Sequence, residues 1–250
     1  MRVETFLINL EGSHDRLARS TAQLTTAGLE FQRLAAFDGR HMRPEDLPMY
    51  DIARAQRVFG RRLTGGEVGC FLSHLAAAQR FLISDAIYGL VIEDDVTVPA
   101  AAALTLQDLL GVLAARPDPP WSVVNLGEPA RRMFTALDPV ATGHVLVRAH
   151  YFPVTTTALL WSRPGAEAFL RDAKAIEMPV DHWLRRWATA RDAGLALNPA
   201  LFPAAEGQSE IDAAGPRKKT ELSPRYFIAK QSRLWSNKTR AWWHRSRFQA

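Results

Sequence analysis

The chain has 250 residues, a formal net charge of +5, 47% hydrophobic residues and 23% charged residues. These values are ordinary for a soluble globular protein, and the length is sufficient for one large domain or for a domain with an appendage. The single cysteine, Cys70, excludes an intrachain disulfide framework and a cysteine-rich zinc site, which fits a reducing compartment.

The first predicted elements form a βαβ unit. Residues 4–10 are mostly apolar and predict a strand. Ser13 fits an N-cap for a helix that runs to residue 27, where Gly28 ends it. Residues 30–37 predict a second strand. Strand, helix and strand within about 35 residues indicate a crossover connection, and therefore a parallel pair of strands.

The next predicted helix spans residues 65–83 and begins with a capping box. Thr64 is the expected N-cap, and Glu67 is placed to return to the backbone of Thr64. Ser73 and His74 continue a polar stripe on this helix. A solvent-exposed helix face is the competing explanation for that stripe.

The third predicted strand carries the most informative feature of the chain. Residues 88–92 form an apolar run that indicates a buried strand, and three acids follow it: Glu93, Asp94 and Asp95. Carboxylate oxygens are the ligands that Mg²⁺ or Mn²⁺ prefers. Because side chains alternate along an extended chain, we expect Glu93 and Asp95 to share one side and bind the ion, with Asp94 facing away. An acidic turn in solvent is the alternative for an isolated triplet.

Polar residues at the ends of the first three strands point to a crevice. In parallel sheets, ligands bind beyond the carboxyl ends of the strands. Asn9 ends the first strand, Asp38 follows the second, and the acid triplet follows the third. Asn9 and Asp38 are also ordinary turn residues when each is taken alone.

The second half of the chain predicts fewer elements. Residues 123–126 and 156–161 predict strands, residues 164–173 and 181–190 predict helices, and residues 116–120 predict a loop. Residues 207–225 are rich in Gly, Pro, Ser and charge, and they indicate a boundary between a domain over 1–211 and an extension over 212–250.

The extension is basic and aromatic. From Arg217 onward it holds 10 of the 31 basic residues and only one of the 26 acidic residues, so the preceding part is acidic by four. Lys, Arg and Trp together suit an anionic membrane surface. A C-terminal helix that packs its tryptophans on the domain is the equal alternative, and we expect no nucleic-acid partner.

Several segments resemble glycosyltransferase family 25, which contains sugar transferases of lipooligosaccharide biosynthesis. The most specific segment is residues 66–74, which is similar to the family's G-E-x-G-C-x-x-S-H. The resemblance covers roughly residues 3–211. Its other segments, in chain order, are residues 8–10 with Arg16, 36–39, 92–95, 162–166, 179–181 and 199 with 208–211.

The resemblance implies a GT-A type α/β fold, with a Rossmann-like, mostly parallel sheet flanked by helices. It also implies a UDP-sugar donor, often UDP-galactose, an inverting transfer, and a glycan or glycolipid acceptor of lipooligosaccharide or lipopolysaccharide. Mn²⁺ or Mg²⁺ at Glu93 and Asp95 would neutralise the departing diphosphate. The donor-binding residues that we infer are Asn9, Arg16, Asp38, Gly39, Glu67, Ser73, His74 and Asp94.

An inverting transfer also needs a carboxylate to accept the proton of the acceptor hydroxyl. Asp181 is the expected catalytic base, because it opens a predicted helix in the segment that resembles the family's P-x-D. An N-cap is the equal alternative for Asp181. Glu128, which follows the strand at 123–126, is the reserve.

The chain is expected to be cytoplasmic, since its N-terminus lacks the features of a signal peptide. We expect it to work at the inner face of the inner membrane. Two other functions stay open at this stage. One is a metal phosphohydrolase, although such a site needs more His and Asp residues than the seven scattered histidines and the acids of this chain supply. The other is a non-catalytic sugar-nucleotide-fold module, which would bind glycan or membrane without turnover.

Overall fold

The computed structural model describes residues 2–116, 120–140, 143–205 and 224–248, which form one eight-stranded sheet with helices on both faces. The strands are β1 Val3–Asn9, β2 Gln32–Ala35, β3 Tyr88–Glu93, β4 Val123–Asn125, β5 Phe134–Val140, β6 His144–Ala149, β7 Ala158–Ser162 and β8 Gly194–Asn198. The α-helices are α1 His14–Thr26, α2 Ile52–Val58, α3 Gly65–Ile83, α4 Ala102–Ala115, α5 Arg163–Asp172, α6 Val180–Arg191 and α7 Pro224–Arg247, and a 3₁₀ turn covers Pro44–Asp46.

The sheet is mixed but mostly parallel. Its strand order is β2-β1-β3-β7-β4-β8-β6-β5. The pairs β1–β2, β1–β3 and β4–β8 are parallel, and the other four pairs are antiparallel. Six strands therefore run in one direction, and β6 and β7 run in the other. The predicted α/β class with a mostly parallel sheet flanked by helices is confirmed, as is the parallel βαβ unit of β1, α1 and β2.

The two faces of the sheet bury separate clusters of apolar side chains. Along β3, Leu90 and Ile92 pack into the cluster that contains α1 and α4, whereas Val91 packs into the cluster that contains α3, α5 and α6. Alternate residues therefore face opposite layers of helices. This double burial explains why β3 is an uninterrupted apolar run, and why its first charged residue comes where the strand ends.

The predictions of β1, α1, β2, α3 and β3 agree with the structure to within about two residues at each end. α3 has the predicted bounds, and both hydrogen bonds of its capping box are present. The sequence interpretation missed α2, α4, β5, β6 and β8. β5 contains a bulge and a proline, and these disturb the alternation of apolar and polar residues that indicates a strand. α4 is apolar on most of its surface, so its sequence lacks a clear helical period.

The polar stripe of α3 is not exposed, and the surface-helix explanation is wrong. Glu67, Ser73 and His74 are 5%, 2% and 2% exposed. α3 contacts α5, α6, β1, β2 and β3, so that its polar side is buried within the protein as well as its apolar side. Buried polar groups need hydrogen-bond partners, and the partners of these three residues lie around the site described below.

The C-terminal helix α7 packs against α6. Ala241 is fully buried and Asn237 is 7% exposed, so one face of α7 is part of the body. The predicted boundary at 211/212 and the late motif at 208–211 lie outside the described residues. Within the described ranges, we find no helix with the length and apolarity needed to cross a membrane.

Candidate active site

A cavity of about 160 Å³ lies where β1 and β3 end, beside the N-terminus of α3. All three acids of the triplet line it. The strand ends at Glu93, and Asp94 and Asp95 lie in a turn, so the alternation of an extended chain does not continue through them. The expectation that Asp94 faces away is therefore wrong. The other lining residues are Ile8, Leu10, Arg16, Ala36, Phe37, Asp38, Arg40, Thr64, Gly65, Gly66, Cys70 and Ser73.

Asp94 is held in place by residues of β1 and α1. Asn9 Nδ2 donates to Asp94 Oδ2 at 2.7 Å, and Arg16 Nη1 lies 3.3 Å from Asp94 Oδ1. Ser20 Oγ donates to the backbone carbonyl of Asp94 at 2.8 Å. These contacts stabilise the turn that presents the other two acids to the cavity.

Asn9 contacts the site through Asp94 rather than facing the cavity. Its side chain is 1% exposed, and its amide also donates to the Ser13 carbonyl and accepts from Arg33 Nε. The predicted role in donor binding does not fit this geometry. Asn9 is a positioning residue for the acid turn.

Asp95 is the electrostatically strained member of the triplet. Its Oδ1 is buried and has no hydrogen-bond partner among the described residues. Burial, followed by the charges of Glu93 and Asp94, raises the pKa of Asp95 to about 6. A buried carboxylate oxygen without a donor, next to two other acids, is what a divalent cation would satisfy. Asp95 therefore fits the predicted metal ligand.

The carboxylate of Glu93 contacts two side chains of α3. Its Oε1 lies 2.9 Å from His74 Nε2, and Cys70 Sγ donates weakly to the same oxygen at 3.9 Å. Burial opposes the charge of Glu93, but the His74 hydrogen bond and the charges of His74 and Arg16 outweigh it and lower the pKa of Glu93. Glu93 is therefore an ionised carboxylate that points toward α3.

One ligand atom from each of Cys70, His74 and Glu93 lies within 4.8 Å of the other two. Residues 70 and 74 are four apart on α3, so they share a helix face, a spacing that the sequence interpretation did not use for a metal site. Burial raises the pKa of Cys70 well above its ordinary value, so the thiol stays protonated. His74 and Glu93 are the better pair of ligands in this group, since a thiol binds a metal as thiolate.

The segment after β2 lies directly against α3 because three glycines permit it. A side-chain Cβ on Gly65 would be 1.8 Å from the Gly39 carbonyl oxygen, and one on Gly69 would be 2.3 Å from the Phe37 carbonyl oxygen. Ser73 Oγ donates to the Gly69 carbonyl and accepts from the Phe37 amide. Gly39 and Ser73 thus hold one wall of the cavity, and Ser73 also lines it.

The same wall carries positive charge toward the acids. Arg40 forms a two-point ion pair with Asp38 at 2.8 Å and 2.7 Å, which lowers the pKa of Asp38 to about 2. The N-terminus of α3, at Gly65 and Gly66, also lines the cavity. Helix N-termini and arginines favour phosphate groups, and Arg40 and this helix end are features that sequence reasoning missed.

Glu67 lies outside the lining of this cavity. It accepts two hydrogen bonds from Arg61, at 2.6 Å and 2.8 Å, and one from the Thr64 amide. Both side chains are mostly buried. Glu67 therefore caps α3 and anchors the segment before it, and the predicted donor contact is not what the structure shows.

The candidate bases Asp181 and Glu128 lie around Arg185. Asp181 is the second residue of α6 and its carboxylate accepts from the His182 amide, whereas Pro179 is the N-cap, so the N-cap alternative is wrong. Neither acid is among the residues that line the cavity, although the charge of Asp181 helps to raise the pKa of Cys70, which does line it. Burial lowers the pKa of Arg185, and the charges of Tyr151, Glu128 and Asp181 oppose that shift.

Comparisons with known proteins agree with the resemblance seen in the sequence. Residues 2–114 match the family model "Glycosyltransferase family 25 (LPS biosynthesis protein)". The chain is 28% identical over 186 residues to procollagen galactosyltransferase 1 of Danio rerio, and 30% identical over 189 residues to procollagen galactosyltransferase 2 of Mus musculus. Each match covers 72% of this chain, but only 30% of the zebrafish protein and 29% of the mouse protein.

Another relative is a protein of Bos taurus named probable inactive glycosyltransferase 25 family member 3, at 28% identity over 186 residues, 72% of this chain and 31% of that protein. Among solved structures, a glycosyltransferase involved in glycosylation of the major capsid of PBCV-1 matches with a TM-score of 0.38 and 11% identity. That match covers 85% of this chain and 100% of the other, and it is too distant to assign the fold.

Proposed function

We propose that this chain, whose residues 2–114 match glycosyltransferase family 25, is an inverting, metal-dependent GT-A type glycosyltransferase that uses a UDP-sugar. The observation that carries the proposal is Asp95, whose buried Oδ1 lacks a partner among the described residues at the edge of a cavity lined by two more acids. The proposed sugar is galactose, because two of the named relatives are galactosyltransferases.

In this proposal the ion is held by Glu93 and Asp95. His74 lies beside Glu93, in a group of possible ligands that does not include Asp95, and Asp94 keeps the acid turn in place. Mn²⁺ or Mg²⁺ at these residues would neutralise the charge that develops on the departing diphosphate. Arg40 and the N-terminus of α3 also line the cavity and would add positive potential for phosphate oxygens. The cavity therefore offers separate places for a cation and for phosphate oxygens.

The chemical step is a single displacement at the anomeric carbon of the donor. The acceptor hydroxyl oxygen forms the new bond to that carbon, the bond from carbon to the diphosphate oxygen breaks, and UDP leaves with the electron pair. Asp181 accepts the proton of the acceptor hydroxyl, from the side of the sugar opposite the diphosphate. Glu128 is the reserve for the same role.

The proposed acceptor is a glycan of lipooligosaccharide or lipopolysaccharide, in keeping with the description of the family model. Such an acceptor is attached to lipid, so the proposed place of work is the cytoplasmic face of the inner membrane. A peripheral position there would bring a soluble UDP-sugar and a lipid-linked acceptor to the same site.

The test is calorimetric titration with a panel of UDP-sugars, with and without Mn²⁺, followed by measurement of UDP release. We expect one donor to bind in a metal-dependent way and Asp95→Ala to lose turnover by at least about a hundredfold. Asp108→Ala, which removes an exposed carboxylate on α4, is the matched control and should keep full turnover. Full turnover in Asp95→Ala would overturn the metal assignment.

A second candidate is a non-catalytic sugar-nucleotide-fold module that binds a glycan or a membrane. The named inactive relative of Bos taurus favours it, since a family 25 protein so described is 28% identical to this chain. Donor binding without UDP release, in the presence of a panel of saccharide acceptors, would select this function over transfer. Absence of binding to every UDP-sugar would overturn the transfer function and favour the non-catalytic module.

A further inference from the structure

The outer face of α7 carries an apolar stripe. Ile228, Trp235 and Trp242 are spaced seven residues apart, so they lie on one face of the helix and drift by only about 20° per step. They are 69%, 68% and 66% exposed. The stripe extends about 21 Å along the helix, since each residue adds about 1.5 Å. An exposed stripe of this length on one helix marks an interaction surface.

The opposite face of α7 is fixed to the protein. Arg233 Nη1 donates to the carbonyls of Val58 and Phe59, both at 2.8 Å, and its guanidinium lies 4.4 Å from the centre of the Phe59 ring. Asn237 and Ala241 continue this buried face at intervals of four residues. Because Asn237 comes two residues after Trp235, it lies about 200° around the helix from that tryptophan. The stripe therefore points away from the body.

The charge of α7 selects the kind of partner. The segment Pro224–Arg247 contains seven Lys and Arg residues and no Asp or Glu. Lys238 and Arg245 each follow a stripe tryptophan by three residues, which sets them about 60° to the side of the stripe. A surface of this composition complements an anionic partner that also accepts aromatic and aliphatic side chains.

We propose that the stripe of Ile228, Trp235 and Trp242, flanked by Lys238 and Arg245, docks on an anionic lipid surface with α7 lying in the plane of the interface. Tryptophan is suited to the headgroup region, and an aliphatic side chain is suited to the acyl boundary just below it. Single-stranded nucleic acid fits the stripe less well, because bases stack in grooves and this face is the convex side of a helix.

This inference rests on the proposed function. A docked α7 would hold the candidate active site at a fixed distance from a lipid-linked acceptor. The inner face of α7 reaches Phe59, whose ring centre is 5.3 Å from that of His182, the residue after the proposed base. α7 thus connects the lipid-facing stripe, through Phe59, with the first turn of α6, which carries Asp181. In the proposed function, the helix that docks on lipid therefore packs against the helix that carries the base.

The experiment is sedimentation with vesicles of phosphatidylcholine alone and with vesicles in which about a third of the lipid is phosphatidylglycerol. We expect the full chain to bind only the anionic vesicles, and the double variant Trp235→Ser with Trp242→Ser to bind them at least about tenfold more weakly. Replacing Lys238 and Arg245 by Gln should cost up to about fivefold per charge, and added salt should weaken binding.

The matched control is the double variant Ile83→Ser with Leu104→Ser. It removes two apolar side chains of similar exposure, 79% and 67%, from α3 and α4. We expect its vesicle binding to equal that of the unaltered chain. Circular dichroism of all variants establishes that they are folded.

Three results would overturn the inference: no binding of the unaltered chain to anionic vesicles, equal loss in the control, or retained binding in the tryptophan variant. Binding of a single-stranded RNA probe, lost in the tryptophan variant while vesicles are not bound, would assign the stripe to nucleic acid instead. UDP-sugar binding is measured in parallel. It should survive in the tryptophan variant, so that failure of vesicle binding leaves the proposed transfer activity standing.

Discussion

At the scale of single residues, the three acids of the triplet have different environments. Asp94 has partners from β1 and α1, Glu93 has His74, and one oxygen of Asp95 is buried without a partner among the described residues. Burial and the two neighbouring charges make the ionised form of Asp95 costly in the metal-free protein. A bound cation would stabilise the ionised carboxylate of Asp95. Without a cation, the same carboxylate lowers the stability of the folded protein.

This conflict predicts a stabilising substitution. The pKa of Asp95 is raised to about 6 in the folded protein, so the protonated form is favoured there and stability is lost as pH rises through 6. Asp95→Asn removes the charge, and at pH 8 without metal it should raise the free energy of unfolding by about 1–2 kcal/mol. Urea unfolding is the measurement.

The advantage of Asp95→Asn should shrink as the pH falls below 6, because the unaltered carboxyl then becomes neutral in the folded state. Addition of Mn²⁺ should stabilise the unaltered protein and not the variant. A variant that is less stable than the unaltered protein at pH 8 would contradict the electrostatic account of this residue.

At the scale of elements, contact between α3 and the segment after β2 builds the cavity. Gly65 and Gly69 bring the helix backbone against Gly39 and Phe37. Ser73 Oγ accepts a hydrogen bond from the Phe37 amide across the contact, and it donates to the Gly69 carbonyl within α3. This explains why residues 66–74 are the part of the chain with the most specific pattern. Small residues and a hydroxyl are needed at fixed helical positions, and the shape of the cavity depends on the resulting wall.

Gly69→Ala should disrupt this contact. The added Cβ would be 2.3 Å from a backbone oxygen, so the helix or the segment must shift, and we expect a loss of about 1–3 kcal/mol in the free energy of unfolding. The shift should also weaken UDP-sugar binding. Thermal unfolding and calorimetry measure the two effects.

Gly111→Ala is the control, since Gly111 lies inside α4 with nothing within 4 Å of an added Cβ. It should be neutral or stabilising by up to about 1 kcal/mol, because alanine favours helix more than glycine does. Equal destabilisation by both substitutions would show that helix propensity, and not the close contact, decides the outcome.

At the scale of the whole molecule, the sheet and α7 bring distant parts of the chain to one side. β7 runs antiparallel between β3 and β4. The carbonyl of Thr157, just before β7, therefore accepts a hydrogen bond from the Glu93 amide. α6 supplies Asp181, and α7 packs on α6 while its Arg233 joins the end of α2. The C-terminal helix is therefore part of the body on one face and an exposed surface on the other.

Arg233→Ala should destabilise this arrangement. The substitution leaves the carbonyls of Val58 and Phe59 without their charged donor, and we expect a loss of about 1–3 kcal/mol in the free energy of unfolding. Hydrogen exchange in α7 should become faster at the same time. Arg245→Ala, at an exposed position two turns or more along the helix, should change neither quantity. Unchanged exchange in Arg233→Ala would mean that this arginine does not hold the helix.

The sequence by itself determined the α/β class, the βαβ unit, the bounds of α3 and the position of the acids at the end of β3. These features depend on local periodicity and on caps within a few residues, which a sequence displays directly. Only the tertiary structure decided that Asn9 donates a hydrogen bond to Asp94, which lies 85 residues further along the chain. It also decided that Glu67 pairs with Arg61 and that the polar side of α3 is buried. It also decided which face of α7 is exposed. A hydrogen-bond partner distant in the chain, or the neighbour that covers a helix face, leaves no mark on local spacing, because it arises only when separate elements pack.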